Sequence, residues 1–405
     1  MKMRQIWKGI LLASIFVMAG APAFCVQPTN NLGNQDTEVQ SSLTAGNPTA
    51  TAAQQDDIAV NTSNNGSSAA VSVTGGTSTG GSGNNTVTTI LTRLDDRVST
   101  MMAVYRQREE RLARKSLSQP QGPAGSGLIR RYNKNKVWGR YLGVAGDQDS
   151  INSMDGYQLI SHGALFGYDR FLTDRFLLGF GAGYMRTDIE TDVGGQTSVN
   201  AYNAGLYGSY IFSDVDFLNF AFFYTRGEIE SDSTIANYGT LSGETDSNTY
   251  MLAAEYGRKF LVMNRFVLTP VAGFVASLVD VPGYTATGTG QYGAEEYADA
   301  KSKFFTTRIG IKGDWAFAPS ALLKVRALWT HEHSNDLESV TEVRYENTTS
   351  FVKVKGLDPG RDKGIFGLGL RFAFQNGLSF DIDSDLTVGE KYKSWSGSGK
   401  LEYAF

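Results

Sequence analysis

The chain has 405 residues, with 37 basic and 41 acidic side chains and a formal net charge of −4, so no basic excess points to nucleic acid as a partner. A mean hydropathy of −0.24 excludes a helical membrane protein, and the single cysteine, Cys25, excludes an intrachain disulfide or a cysteine-built metal site. Glycine (46), tyrosine (19) and phenylalanine (23) are abundant while proline (9) is scarce, which favours a large sheet with tight turns.

The first 23 residues have the pattern of a secretory signal peptide. Three basic residues precede a largely apolar run from Ile10 to Met18, and Ala21-Pro22-Ala23 offers a small-x-small cleavage site. The apolar run is too short for a membrane anchor. Cys25 suggests a lipoprotein only weakly, because the bulky Phe24 precedes it. The sequence therefore predicts export through the inner-membrane secretion machinery.

Residues 24–85 are of low complexity, dominated by Ser, Thr, Gly and Asn. Such a segment cannot bury enough apolar surface to offset the entropy of ordering, and we predict that it is disordered.

Residues 86–116 predict an amphipathic helix. Apolar residues recur mostly at three- and four-residue steps, with carboxylates early and basic residues late, as the helix dipole favours. The Pro- and Gly-containing segment that follows ends the helix and opens a linker over 117–136. The narrow apolar stripe consists of Leu91, Leu94, Val98, Met101, Tyr105 and Leu112.

Residues 137–405 predict an all-β transmembrane barrel of about 12 antiparallel strands. Runs of period-two alternation are joined by turns that are alternately short and long, which is typical of outer-membrane barrels. One hairpin, closed over residues 375–377, pairs Phe372 with Phe380 and Arg371 with Asp381, so that both pairs lie on matching faces.

Alternation alone does not say which face points outward. Strand number, export and aromatic residues near strand ends favour apolar side chains outside, in lipid. The expected aromatic girdle comprises Trp138, Tyr168, Tyr210, Phe212, Tyr224, Trp315, Phe317 and Trp329. The charged residues predicted to face the lumen are Arg308, Lys312, Asp314, Lys324, Arg326, Arg371, Asp381, Asp383 and Asp385.

Gly179, Gly181 and Gly183 also fall on the predicted lumen face. They either make room for an occupant of the lumen, such as the 86–116 helix, or simply relieve crowding along the strand.

The order of these parts resembles the C-terminal translocator domain of classical autotransporters (type V secretion). The stretches that carry the resemblance are "VWGRYLG" (137–143), "LGFGAGYMRTDIE", "YNAGLYGSYIF", "RALWTHEH" and the closing "LEYAF". The resemblance implies a barrel in the outer membrane of a Gram-negative-type bacterium, inserted by the barrel-assembly machinery. It also implies that Leu401, Tyr403 and Phe405 form the assembly signal, that residues 24–85 are a passenger, and that the helix spans the pore.

The sequence does not predict an enzyme or a cofactor. His331 and His333 share a face expected to meet lipid or headgroups, and neither a GxSxG motif nor a P-loop is present. Some members of the family cut their passenger at an Asn-Asn pair, which makes Asn84-Asn85 a weak candidate for self-cleavage.

Three functions remain open: a monomeric translocator that exports or displays its short passenger, a stand-alone structural barrel or pore whose N-terminal region stays in the periplasm, and an adhesin acting through loops 281–300 and 334–360.

Overall fold

The computed structural model describes eight helical residues between positions 90 and 102, and then residues 134–405 with short gaps. The predictions for the signal peptide, for residues 24–85 and for the Asn84-Asn85 pair lie outside the described residues. No helix in the described part of the chain is long and apolar enough to cross a membrane. The gaps fall at 151–155, 193, 236–238, 264, 290–292, 319, 335–339, 347–348, 356–359 and 375.

Strands dominate the described residues. In chain order they are β1 (Asn135–Gln148), β2 (Tyr157–Phe171), β3 (Phe176–Thr191), β4 (Gly195–Ile211), β5 (Asp216–Ile235), β6 (Gly239–Arg258), β7 (Phe260–Met263), β8 (Phe266–Val281), β9 (Tyr284–Gly288), β10 (Glu295–Tyr297), β11 (Ala300–Ala318), β12 (Ala321–Glu332), β13 (Val340–Tyr345), β14 (Val352–Lys355), β15 (Asp362–Ala373), β16 (Leu378–Gly389) and β17 (Tyr392–Ala404).

Twelve of these strands close into an antiparallel barrel. β1 to β6 pair in sequence, β6 pairs with β8, β8 with β11, β11 with β12, and β12 with β15. β15, β16 and β17 follow, and β17 returns to β1, where Val137 opposes Tyr403. This closure confirms the prediction of about twelve strands. The predicted register of the β15–β16 hairpin is also confirmed, since Arg371 opposes Asp381 and Phe372 opposes Phe380.

The two ends of the barrel differ. The end that carries Asn135 and Ala404, which we call the terminal rim, also holds the tight turns at 172–175, 212–215 and 374–377. The opposite end, the far rim, holds the long connections after β8 and β12. These connections supply β9, β10, β13 and β14, which pair into a small sheet of their own and touch the barrel wall where Leu241 of β6 opposes Gly288 of β9.

The outer surface of the barrel is apolar. Large apolar side chains alternate with buried residues along the strands, and Phe166, Phe366 and Trp395 are 63%, 56% and 61% exposed. A surface of this kind suits lipid and not water. Most of the predicted girdle lies outside with it, but Trp138 does not: its side chain points into the lumen and is 4% exposed. The girdle assignment of Trp138 was therefore wrong.

Candidate functional site

The lumen contains the helical residues, packed against the barrel wall. Ile90, Leu91, Leu94 and Val98 are fully buried and Met102 is nearly so. The buried residues cover a wider part of the helix surface than the predicted apolar stripe, because a helix inside a barrel meets the wall on more than one side. Their partners on the wall include Leu165, Phe171, Leu177, Met185, Tyr207, Phe217 and Phe223.

Two arginines of the helix converge on one carboxylate of β2. Arg93 forms an ion pair with Asp169, and Arg97 Nε donates to Asp169 Oδ1 at 2.8 Å. All three side chains are fully buried. A buried carboxylate that loses its cations remains desolvated and unpaired, which is strongly unfavourable. These contacts therefore fix the position of the helix more strictly than apolar packing alone.

Further polar contacts tie the helix to β5 and β11. Asn219 Nδ2 donates to Asp95 Oδ1 at 2.7 Å, and Lys312 of β11 pairs with the same carboxyl group. Lys312 also donates to Glu255 at 2.5 Å, and Arg308 lies 3.2 Å from Glu255. Two cations of the helix thus pair with a carboxylate of the wall, and one carboxylate of the helix pairs with a cation of the wall.

The contacts also give the direction of the chain inside the lumen. Arg97 donates to the carbonyl oxygen of Lys134 at 3.0 Å, and its guanidinium lies over Phe171, both at the terminal rim. Arg93, one helical turn earlier, lies over Trp138, further inside the barrel. Residue numbers in the helix therefore increase toward the terminal rim.

The wall formed by β12, β15, β16, β17 and β1 carries a network of charges. Arg326 pairs with Asp385, and Lys324 Nζ donates to Asp381 at 3.1 Å. Arg371 donates to Glu402 at 3.0 Å, and Arg140 lies 3.4 Å from Asp383. These side chains lie on the inner face.

The structure places the nine residues predicted to face the lumen as follows. Eight take part in the ion pairs just described: Arg308 and Lys312 beside Glu255, and Lys324, Arg326, Arg371, Asp381, Asp383 and Asp385 in the charged wall. Asp314 is half-buried and opposes Lys324 across β11 and β12.

Sequence reasoning missed several partners of these residues, namely Lys136, Arg140, Asp169, Glu255, Lys400 and Glu402. Lys400 and Glu402 lie on the polar side of the last strand, and that alternation was sufficient to find them. Asp169 and Glu255 carried no such local signal.

Glycines on β15 let the ion pairs cross that strand. Gly367 stands in register between Arg326 and Asp385, and Gly369 between Lys324 and Asp383. A Cβ atom at Gly367 would lie 2.2 Å from Asp385 Oδ1 and 2.3 Å from Arg326 Nε. The absence of a side chain therefore lets cations of β12 reach carboxylates of β16 over the intervening strand.

We expect Gly367→Val to separate Arg326 from Asp385 and to destabilise the barrel by about 1–3 kcal/mol, as overpacking does in general. The measurement is the midpoint temperature at which the folded barrel loses its compact electrophoretic migration. Gly143→Val serves as the control, since the nearest atom to a Cβ there is 3.8 Å away. An equal shift in both variants would show that the effect is not specific to the ion pair.

The far-rim sheet has its own apolar cluster, made of Leu241, Ala286, Tyr297 and Val343, with the rings of Tyr284 and Tyr297 stacked at 4.6 Å. Glu295 lies within the sheet and is 4% exposed. Burial raises the pKa of this carboxyl group, although a hydrogen bond from the Tyr297 hydroxyl partly opposes the shift. Folding of this sheet therefore favours the neutral form of the Glu295 carboxyl group.

The raised pKa predicts a pH dependence for this sheet. Because the folded pKa of Glu295 lies above the unfolded value of about 4.3, the contribution to stability is complete below that value and is lost as pH rises through the folded pKa. We expect amide exchange in residues 284–297 to be slower at acidic than at neutral pH. Glu295→Gln should make the exchange rates independent of pH after correction for intrinsic exchange. A persisting dependence in that variant would assign it to another group.

The histidine pair lies on the outer surface near the far rim. The rings of His331 and His333 are 4.7 Å apart, and each has a polar partner: Asp362 at 2.9 Å and Thr307 at 2.9 Å respectively. Within the described residues no group of three His, Cys, Asp or Glu side chains is arranged to hold a metal ion. The local contacts thus account for both histidines as rim residues.

Comparisons with known proteins agree with this architecture. The sequence model of the family described as "Autotransporter beta-domain" matches residues 137–385. Outer membrane protein A of Rickettsia rickettsii is 23% identical over 303 residues, which cover 70% of this chain and 13% of that protein. Outer membrane protein B of Rickettsia japonica is 22% identical over 294 residues, which cover 66% of this chain and 17% of that protein. The chain thus spans less than a fifth of the length of these relatives.

Among solved structures, the fold is similar to the translocator domain of autotransporter NalP from Neisseria meningitidis. The TM-score is 0.57 at 13% sequence identity, and the match covers 76% of this chain and 97% of that structure. At this identity the likeness concerns the fold alone.

Proposed function

The chain belongs to the autotransporter family through its β-domain, and from this we propose that its barrel carries residues 24–85, as a short passenger, to the cell surface. The barrel is an outer-membrane translocator of a Gram-negative bacterium. Export of this particular passenger is the proposed step.

The observation that carries the proposal is the direction of the helix in the lumen. Arg97 contacts the terminal rim through Lys134 and Phe171, whereas Arg93 contacts Trp138 and Tyr207 further inside. The chain preceding residue 90 is therefore attached to the end of the helix that points away from the terminal rim. A passenger that leaves the barrel through the far rim is the simplest continuation of this path.

The orientation in the membrane follows from the two rims. Outer-membrane barrels place their short turns in the periplasm and their longer connections outside the cell. The terminal rim, with its tight turns, then faces the periplasm, and the far-rim sheet faces the exterior. This orientation supports delivery of the passenger outward.

The proposal includes specific partners. The inner-membrane secretion machinery would take the chain across the first membrane, and the barrel-assembly machinery would recognise Leu401, Tyr403 and Phe405 on the outer face of the last strand. Outer-membrane lipid then covers the apolar surface. A barrel closed by β1 and β17 leaves no sheet edge within the wall, which supports a monomer.

We assign the barrel a role in transport and no enzymatic role. Cleavage at Asn84-Asn85 remains a prediction, since both residues lie outside the described part of the chain.

An epitope tag inserted next to Ser67 tests the proposal. Intact cells are treated with an external protease, and the tag and a periplasmic marker protein are then detected. We expect the tag to be digested while the marker survives. Protection of the tag in cells whose barrel is folded would instead support a stand-alone barrel with its N-terminal region in the periplasm.

A further inference from the structure

The contacts of Arg93 combine two aromatic rings and two carboxylates around one guanidinium group. The Arg93 guanidinium lies 4.7 Å from the Trp138 ring centroid and 5.5 Å from that of Tyr207. It forms an ion pair with Asp169 and lies 3.6 Å from Glu402. We call Trp138, Asp169, Tyr207 and Glu402 the arginine site.

The barrel wall builds this site without help from the helix. Trp138 Nε1 donates to the Tyr207 hydroxyl at 2.7 Å, and that hydroxyl donates to Asp169 Oδ2 at 3.3 Å. A Cβ atom at Gly179 would lie 2.5 Å from the Tyr207 ring and 2.7 Å from Asp169 Cβ. The glycine therefore lets the aromatic ring and the carboxylate lie close to the wall, with both aimed at the lumen.

The exported segment contains no cationic side chain that could occupy the arginine site. Residues 24–92 contain no Lys, Arg or His, and their only charged side chains are the four carboxylates Asp36, Glu38, Asp56 and Asp57. Arg93 is the first cation after the predicted cleavage site. Six more basic residues follow it up to position 115. The charge of the chain thus changes sign at the residue that the arginine site holds.

We propose that the arginine site is a guanidinium-binding site that sets the final register of the chain in the pore, and so the length of passenger displayed. This inference depends on the proposed export function. Residues 24–92 pass the site without being held, because none of them offers a cation. Arg93 is held because its guanidinium can lie over the Trp138 and Tyr207 rings while it pairs with Asp169. A lysine ammonium at the same position would keep the charge and lose the planar, delocalised group that suits these rings.

Thiol crosslinking between helix and wall can measure the register. Asp95→Cys and Asn219→Cys place two thiols where the native side chains are in hydrogen-bond contact, and Cys25→Ser removes the native cysteine. A short bifunctional maleimide is added to purified, folded barrels, and the crosslinked fraction is quantified. The same chains carry the tag at Ser67, so that export is measured separately in cells.

Against this background we expect Arg93→Gln and Asp169→Asn to lower the crosslinked fraction about tenfold, which corresponds to a shift of ~1.4 kcal/mol between registers. Arg93→Lys should give an intermediate value. Arg186→Gln is the control, since Arg186 pairs with Asp188 at an exposed position. Unchanged crosslinking in the first two variants, with the tag still exposed, would overturn the inference and leave the proposed function intact.

A second test moves the arginine along the chain, so that the proposal does not depend only on variants that could fail to assemble. Thr89→Arg combined with Arg93→Gln offers the site a guanidinium four residues earlier in the sequence. In that background Leu91→Cys should crosslink to Asn219→Cys, and Asp95→Cys should not. Crosslinking that stays at position 95 would also overturn the inference. Register shifts in chains whose tag is protected from protease would uphold the site and contradict export.

Discussion

Deletion of residues 86–115 is expected to increase conduction through the barrel. Ile90, Leu91, Leu94 and Val98 are fully buried inside the lumen, so the helix excludes water from the apolar wall it covers. Without it, that wall is wetted and the charged wall lines a continuous aqueous path. We expect single-channel conductance in planar bilayers to rise severalfold over that of the full chain.

The conductance measurement needs a deletion that spares the helix. Removal of residues 59–85 shortens the chain by a similar length and leaves every described lumen contact in place. This control should conduct like the full chain. Equal conductance of the full chain and of the 86–115 deletion, with both barrels folded, would show that the helix does not obstruct the pore.

A point substitution should give a partial effect in the same assay. Leu94→Asp places a carboxylate in the apolar cluster that also contains Leu177 and Phe223. An unpaired buried charge is strongly unfavourable, so the helix should leave the lumen for part of the time. We expect transient openings whose single-channel conductance equals that of the 86–115 deletion.

The barrel could be predicted because its strands and tight turns are specified by residues that are close together in the sequence. Period-two alternation fixes which side chains share a face, and a tight turn such as 375–377 fixes the register of the strands it joins. The β15–β16 pairing followed from these two facts alone, and so did the strand count.

The lumen contacts were less accessible because they join residues that are distant in sequence. Arg97 meets Asp169, which lies 72 positions away, and Asp95 meets Lys312, 217 positions away. The alternation of apolar and polar residues along the strands does not indicate either of these long-range contacts. A single carboxylate on an otherwise uncharged strand face becomes meaningful only when closure of the barrel brings the helix against it.

Trp138 shows a different limit. In β1 both alternating sets are apolar: Val137 and Tyr141 point outward, whereas Trp138 and Leu142 point inward. The phase of the strand is therefore ambiguous when apolar residues alone are considered. Arg140, which shares the phase of Trp138, was the available signal that this set faces the lumen.

The last strand combines closure of the barrel with a row of exposed apolar side chains. β17 pairs with β16 on one side and with β1 on the other, and it completes the ring. Leu401, Tyr403 and Phe405 are 53%, 47% and 51% exposed on the outer face. The Phe405 ring is half exposed and lies 6.0 Å from the Tyr403 ring between centroids. The assembly role of Phe405 remains a prediction, which the following substitution tests.

We accordingly expect Phe405→Ser to reduce the amount of assembled barrel in the outer membrane severalfold, without changing export across the inner membrane. The fraction that does assemble should unfold within about 0.5 kcal/mol of the parent, as is usual for surface substitutions, because the backbone hydrogen bond from Phe405 to Asn135 survives. Heat-modifiable migration gives the assembled amount, and its midpoint temperature gives the stability.

Phe374→Ser is a closely matched control for this variant. Phe374 is 50% exposed, lies at the same terminal rim, and also keeps a backbone hydrogen bond, to Leu378. If loss of an interfacial aromatic ring were sufficient, both substitutions would reduce assembly equally. If Phe405 is part of a signal that is recognised at the end of the chain, only Phe405→Ser should reduce it. Comparable yields for the two variants would remove the assembly role of the last residue and leave Phe405 as one more side chain in lipid.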